Sequence, residues 1–270
     1  MHKFVMVKKV IVFGNEKGGT GKSTLAMHLT VSLLNNRYKV GTIDVDARQG
    51  TFSRYIENRT NTQRNNPDIK IPVHKSISQS LLGNIEEAEK ENKEKFTQAL
   101  EFLSDCEYII IDTPGHDNSL SRFAHSHADV LITPMNESFV DLDLLVRVKD
   151  SLNSLDLRPS TYSEMVWDQK KNKAIRNRGT IDWVVLINRM AHMASKNRQE
   201  LEKILEALAK RIGFRYAKGF KERVIFRELF ASGLTLTDRN TQGMQTSLSH
   251  IAARCELADL LKVLNISQSS

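Results

Sequence analysis

Residues 17 to 24, Lys17-Gly18-Gly19-Thr20-Gly21-Lys22-Ser23-Thr24, constrain this chain more than any other stretch. Glycine at positions 18, 19 and 21 suits neither a helix interior nor a packed strand; it suits a turn that must bring backbone close to something else. An apolar run, Val10-Ile11-Val12-Phe13, precedes the turn, and a helical pattern, Leu25, Leu29, Leu33 and Leu34, comes after it. Strand, glycine turn and helix start thus stand in the order that anion binding needs. Backbone N–H groups of the turn and the free donors of the helix N-terminus converge on phosphate oxygens. Lys22 is placed to reach the β- and γ-phosphates, and the Ser23 hydroxyl to ligate Mg²⁺. The common G-x-x-x-x-G-K-[ST] pattern needs glycine at position 16, where Glu16 stands. What remains is a variant with two lysines, and Lys17 comes too early in the loop to repeat the task of Lys22.

Three further strand ends carry polar side chains. Val40 to Asp46 reads as a short strand running into Asp44 and Asp46, which alternation places on one side of an extended chain, facing the loop. Tyr108 to Asp112 is a buried parallel strand ending in an acid and continuing into Thr113-Pro114-Gly115; Asp112 is expected to act on Mg²⁺ through water. Val185-Leu186-Ile187-Asn188 is another such strand. Apolar strands separated by helical patterns predict one α/β domain over 1–270, a mostly parallel twisted sheet with helices on both faces. Surface loops are expected at 58–67 and 170–179, and Ser138 is expected to cap a helix running to about Leu155. Helices are also expected over Glu86–Leu103, Arg198–Ile212 and Ser247–Leu264. The last carries an apolar series, Leu248, Ile251, Cys255, Ala258 and Leu261, and balanced charges, which speaks for packing on the sheet and against a membrane anchor.

Charge separates the two ends of the chain. Residues 1–150 hold 19 basic and 20 acidic groups (−1) and residues 151–270 hold 20 and 12 (+8), which sums to the formal +7. Between Lys170 and Arg227, 16 basic groups face 5 acids. Such a stretch suits non-specific, salt-dependent binding to a phosphate backbone. Two cysteines, Cys106 and Cys255, make no disulfide framework and read as small buried hydrophobes in a reducing cytoplasm.

The two-lysine loop resembles that of the ParA/MinD class of ATPases. Val12–Gly19, Ile43–Gln49, Ile132–Asp141, Asp182–Leu186 and Glu222–Phe230 narrow the resemblance to the MipZ family within that class. The resemblance implies a slow ATPase using ATP and Mg²⁺, in which Lys17 through Thr24 wrap the phosphates and Lys17 contacts the nucleotide of a second subunit in an ATP-bound homodimer. It implies that Asp46 positions the attacking water and touches the metal shell through water, that Asp44 helps hold Lys22 and the metal shell, and that Asn188 reads the adenine edge. It also implies division-plane positioning: inhibition of FtsZ assembly, recruitment by ParB, and retention on nucleoid DNA, with Arg198, Arg223 and Arg227 matching the DNA-contact positions. Gly115-His116-Asp117 departs from the family pattern, which places a second glycine after the first. A ParA-type partitioning ATPase, a metabolic synthetase of the same fold and an iron–sulfur reductase relative are the competing classes.

Overall fold

Each central strand is apolar on both faces, and that property builds the molecule. The structure, a computed structural model, describes residues 9–46, 48–148, 157–191, 196–238 and 248–266. Its main sheet comprises β1 (Lys9–Phe13), β2 (Val40–Asp44), β3 (Val73–Ser76), β4 (Tyr108–Asp112), β5 (Val130–Asn136), β8 (Asp182–Asn188) and β9 (Arg215–Lys218). The order is β3-β2-β4-β1-β5-β8-β9, and every pairing is parallel. A two-stranded antiparallel ribbon, β6 (Val146–Val148) with β7 (Leu157–Pro159), stands apart from it.

Helices α1 (Lys22–Asn35), α2 (Thr51–Gln63), α3 (Ile85–Phe102), α4 (Ser119–His127), α5 (Thr161–Asn177), α6 (Lys196–Ile212), α7 (Ile225–Ser232) and α8 (Leu248–Val263) cover the sheet. Alternation along the strands divides the core into two layers. Ile11, Phe13, Ile110, Ile132, Val184 and Leu186 pack with Leu29 and Leu33 of α1 and Leu257 and Leu260 of α8. Val10, Val12, Ile109, Ile111, Val185 and Ile187 pack with Phe96 of α3, Ala124 of α4, Val166 of α5 and Leu205 of α6. Because β1 lies between β4 and β5, the loops after these strands meet at the carboxyl edge where the chain order reverses, the usual ligand crevice of such sheets.

Several expectations need correction. Residues 58–63 are helical, the last two turns of α2, rather than a surface loop. Their polar side chains serve the carbonyls that end α7: Asn58 Nδ2 donates to Phe230 O at 3.0 Å and Thr62 Oγ1 to Ser232 O at 2.6 Å. Fully buried Arg59 donates to Gly233 O and makes a two-point ion pair with Asp238. A helix C-terminus leaves carbonyls unsatisfied, and here a neighbouring helix answers them. Residues 170–177 likewise belong to α5, whose buried stripe Tyr162, Met165, Val166, Gln169 and Lys173 keeps helical spacing through polar residues. Lys173 ends on Ala128 O and Asp129 Oδ1, each at 2.5 Å.

Ser138 does cap, accepting from Val140 N, but the element it begins is a 3₁₀ helix, Phe139–Leu144, leading into β6. The hydroxyls of Ser160 and Ser163 draw off the Leu144 and Leu145 carbonyls, which a longer helix would have needed. The remainder of the expected helix, 149–155, lies outside the described residues. The terminal helix packs on the sheet through Leu257, Leu260 and Leu261 and on Ile225 and Leu229 of α7 through Ala253, whereas Leu248, Ile251 and Cys255 are exposed. Cys106 is buried as expected. Among the described residues no helix is long and apolar enough to cross a membrane.

Three histidines are enclosed in the helical layers. Burial holds His28, His125 and His127 each down at about 4. Between pH 4 and the ordinary value near 6.5, the unfolded chain binds protons that the folded protein refuses, so this stabilisation is complete above about pH 6.5 and lost as pH falls. Asp112, pushed up to about 8 by burial and by the charge of Asp44, acts in the opposite sense. The histidines outnumber it below about pH 6.5. The urea midpoint of the nucleotide-free protein is therefore expected to drop on acidification from pH 6.5 to 4.5, by a few kcal/mol in unfolding free energy; a flat midpoint across that interval contradicts the assignment.

Candidate nucleotide-binding site

Chain 14–21 leaves the end of β1 in mid-sheet and turns into α1. Gly19 and Gly21 take φ values of +74° and +85°, open to glycine at little cost. A Cβ on Gly21 would lie 2.3 Å from Asn188 Nδ2, so the loop and the end of β8 require each other's shape. No side chain caps α1, which leaves its first-turn N–H groups, backed by the helix dipole, for an outside acceptor.

The two lysines occupy different settings. Lys22 is buried and donates to Lys17 O at 3.0 Å. Burial lowers its pKa, while the carboxyl groups of Asp112 and Asp46 oppose that shift. Lys17 points away, its Nζ 2.8 Å from Val140 O and 3.0 Å from Asp141 Oδ1, with 34% of its side chain exposed.

Ser23 Oγ donates to Asp112 Oδ2 at 2.6 Å, joining the first turn of α1 to the end of β4. Asp112 Oδ1 is buried with no hydrogen-bond partner among the described residues, as is Thr20 Oγ1. The Ser23 hydroxyl and the unmatched Asp112 oxygen are hard oxygen donors of the kind Mg²⁺ takes, and Asp46 lies within electrostatic range of Asp112. Asp46 is half-buried, and burial raises its pKa.

Asp44 departs from its expected place. Although it obeys the alternation, its oxygens accept from Asp46 N (2.9 Å), Ser53 N (2.9 Å) and Ser53 Oγ (2.7 Å). It anchors the N-terminus of α2 instead of facing Lys22, because uncapped N–H groups there are the nearest donors to a fully buried carboxylate. Gly115 is pinned against the loop: a Cβ there would stand 2.8 Å from Gly18 N and 3.1 Å from Lys17 C. His116, next in line, lies near enough to Asp46 for its charge to favour the carboxylate. Its Nε2 is 3.3 Å from Asn118 Nδ2.

Asn188 is buried and donates from Nδ2 to Thr20 O at 2.8 Å. Beside it opens a cleft of about 310 Å³, with Gly21, Thr24 and Asn188 on one side and Phe220, Phe226 and Phe230 on the other. The aromatic wall escaped sequence reasoning, although Phe226 and Phe230 stand four apart on one helix, a readable stripe. The Val140 and Asp141 contacts to Lys17 had no local signal at all.

Of the three arginines expected to touch DNA, Arg223 must be withdrawn. Its side chain is 4% exposed and makes a two-point pair with Glu256, at 2.5 and 2.8 Å. Arg198 is mostly enclosed, donating to Ala191 O and pairing with Glu202. Arg227 is 78% exposed beside Glu222. Part of the basic excess is likewise paired within the protomer: buried Lys173 with Asp129, and at the surface Arg215 with Asp182 and Arg176 with Ser126.

A phosphate loop with a second lysine, on a parallel sheet with acids at the neighbouring strand ends, defines a P-loop ATPase of the ParA/MinD type. The profile of the family described as "ATPase MipZ" matches residues 9–268, and the chain belongs to that family. The ATP complex of a variant of Cyanothece McdA shares the fold, with a TM-score of 0.65 at 18% identity over 97% of this chain and 98% of that one. So does the septum site-determining protein MinD of Pyrococcus horikoshii with Mg-ADP, at 0.57, 14%, 96% and 98%. A cytosolic Fe-S cluster assembly factor NUBP2 homolog from Nematostella vectensis is 31% identical over 122 residues, 40% of this chain and 45% of the relative. The chain thus matches about half the length of that relative.

Gly115→Ala tests the packed loop. Overpacking of this kind costs about 1–3 kcal/mol, so nucleotide affinity is expected to fall roughly tenfold in a fluorescent-nucleotide titration, with circular dichroism unchanged; wild-type affinity would show that the loop accommodates the methyl group freely.

Proposed function

We propose that this protein is an ATP-driven dimerisation switch that positions the division plane by opposing FtsZ assembly. The observation that carries the proposal is the division of labour between the lysines: Lys22 buried at the cradle, Lys17 part-exposed and turned away from it onto Val140 O and Asp141 Oδ1. A single protomer has one ammonium for its own phosphates and a second whose reach suits a neighbour's. Family membership supports ATP hydrolysis in general terms and brings in the division reading.

Within the site, loop N–H groups and Lys22 bind the β- and γ-phosphates, and Thr24 stands at the helix entrance beside them. Ser23 and Asp112 would hold Mg²⁺, with Asp46 reaching it through water; the ion when bound supplies charge neutralisation to the phosphate oxygens. Asp46 orients the attacking water, a task its raised pKa suits by making it a better proton acceptor than an exposed carboxylate. Asn188 and the aromatic wall take the base. Gly115, in contact with the loop backbone, passes occupation of the terminal phosphate position to segment 115–118. Hydrolysis then removes the group on which the partner's Lys17 rests, and the dimer parts.

The ATP dimer is the form that acts on FtsZ, is recruited by ParB and stays on the nucleoid. Arg227 and, after local rearrangement, Arg198 are the remaining candidates for non-specific DNA contact. Arg223→Ala would strand Glu256 and cost about 3–5 kcal/mol, so loss of DNA binding in that variant would report unfolding.

Lys17→Ala is expected to bind nucleotide yet remain monomeric with ATP by light scattering; an ATP-dependent dimer would remove the cross-subunit role. Asp46→Ala is expected to slow turnover by roughly a hundredfold or more and to accumulate the dimer, and unchanged turnover would remove Asp46 from the chemistry. Purified protein added to assembling FtsZ should shorten filaments with ATP and leave them intact without nucleotide. Equal filaments in both samples would transfer the protein to partitioning or metabolism.

A further inference from the structure

Segment 115–118, beyond the carboxyl end of β4, is anchored on both sides of His116. Gly115 packs on the phosphate loop, where an added Cβ would stand 2.8 Å from Gly18 N. Asp117 makes a two-point ion pair with Arg122, whose Nε donates to Asp117 Oδ1 at 2.7 Å. Asn118 caps α4, its Oδ1 accepting from Ser121 N at 2.7 Å. The cap also fixes the chemistry of the exposed imidazole. With Asn118 Oδ1 taken as acceptor, the amide nitrogen is the atom turned toward His116 Nε2, 3.3 Å away. An amide NH₂ donates and does not accept, so Nε2 is the acceptor and the ring proton sits on Nδ1. Among the described residues no group accepts from Nδ1. An N–H donor is thus left free one residue past the glycine that touches the loop, within electrostatic range of Asp46.

We propose that His116 is a second water-orienting residue of the hydrolytic site, its Nδ1–H donating to the oxygen of the water that Asp46 holds. The assignment rests on the ATP hydrolysis at Asp46 proposed above and adds the group that completes the water's orientation. Attack requires one lone pair of the water oxygen to face the γ-phosphorus. Asp46 accepts one O–H, and a water held by that bond alone still turns about it. A donor to the second lone pair stops the turning and leaves the first lone pair for phosphorus. Water-orienting side chains are a recurring part of P-loop hydrolases, because a reactant fixed in attack geometry reacts far faster than a mobile one. The bond from water oxygen to phosphorus forms as the bond from phosphorus to the β-phosphate oxygen breaks. The water's proton passes to Asp46, and the imidazole keeps its own.

In a phosphate-release assay, His116→Ala is expected to lower kcat roughly tenfold to a hundredfold, with KM for ATP and ATP-dependent dimerisation kept. The amide of asparagine superposes on the Nδ1 side of an imidazole and that of glutamine on the Nε2 side. His116→Asn should therefore recover most of the rate and His116→Gln little of it, whereas a merely structural role would treat the two amides alike. Because both residues hold one water, adding His116→Ala to Asp46→Ala should slow turnover no further than Asp46→Ala alone. Unchanged kcat in His116→Ala, equal rates for the asparagine and glutamine variants, or losses that multiply in the double variant overturn the role of His116 while hydrolysis at Asp46 stands. Turnover unaffected by Asp46→Ala, or no turnover in the wild type, overturns the proposed hydrolytic site and His116 with it.

Discussion

The burial of β1 on both faces is the constraint on which the rest of this site depends. Ile11, Val12 and Phe13 are each fully enclosed, with β4 on one side and β5 on the other. A strand so placed cannot shift register without moving a core side chain into the opposite layer. Everything leaving its carboxyl end is therefore held against the ends of its neighbours: the glycine loop above, Asp112 on β4, and Asn136 to Asp141 beyond β5. The Ser23 bond to Asp112 and the Lys17 bond to Asp141 are consequences of that placement. One spans from the loop to each flank of β1.

These flanks differ in electrostatic character. Toward β4 lie Asp112, Asp46 and Lys22, a buried group in which carboxyl pKa values are raised and the lysine's is lowered. Burial makes each charge there costly unless an incoming ion and its phosphates rearrange the balance. Toward β5, the Lys17 ammonium is part-exposed and already matched. The first flank holds groups that lack partners, whereas any movement of the second lysine breaks a pairing that exists.

The connection from the site to the rest of the protein runs through α2. Asp44 holds its first turn, and Tyr55, Asn58, Arg59 and Thr62 hold its length to the end of α7. The segment carrying Asp46 is thereby tied to the helix that supplies Phe226 and Phe230 to the cleft. These are packed, hydrogen-bonded elements of the kind through which a change at the glycine loop could be felt at the aromatic cleft.

Residues 17 to 24, the apolar runs ending at Phe13, Asp112 and Asn188, and the helical spacing after Thr24 determined the fold class and the phosphate cradle, because glycine freedom and two-sided burial are local properties that a chain states in order. Edge strands β3 and β9 were illegible, since a strand covered on one side carries Lys75 or Arg215 as readily as valine. The helical character of 58–63 and 170–177 was hidden by polar residues that the tertiary structure spends internally. Only that structure decided that Asp44 serves α2, that Arg223 belongs to Glu256, and that Lys17 rests on Asp141. Each depends on which partner lies nearest once distant strands are side by side, and residues 124 positions apart in the chain leave no mark of that meeting in their spacing.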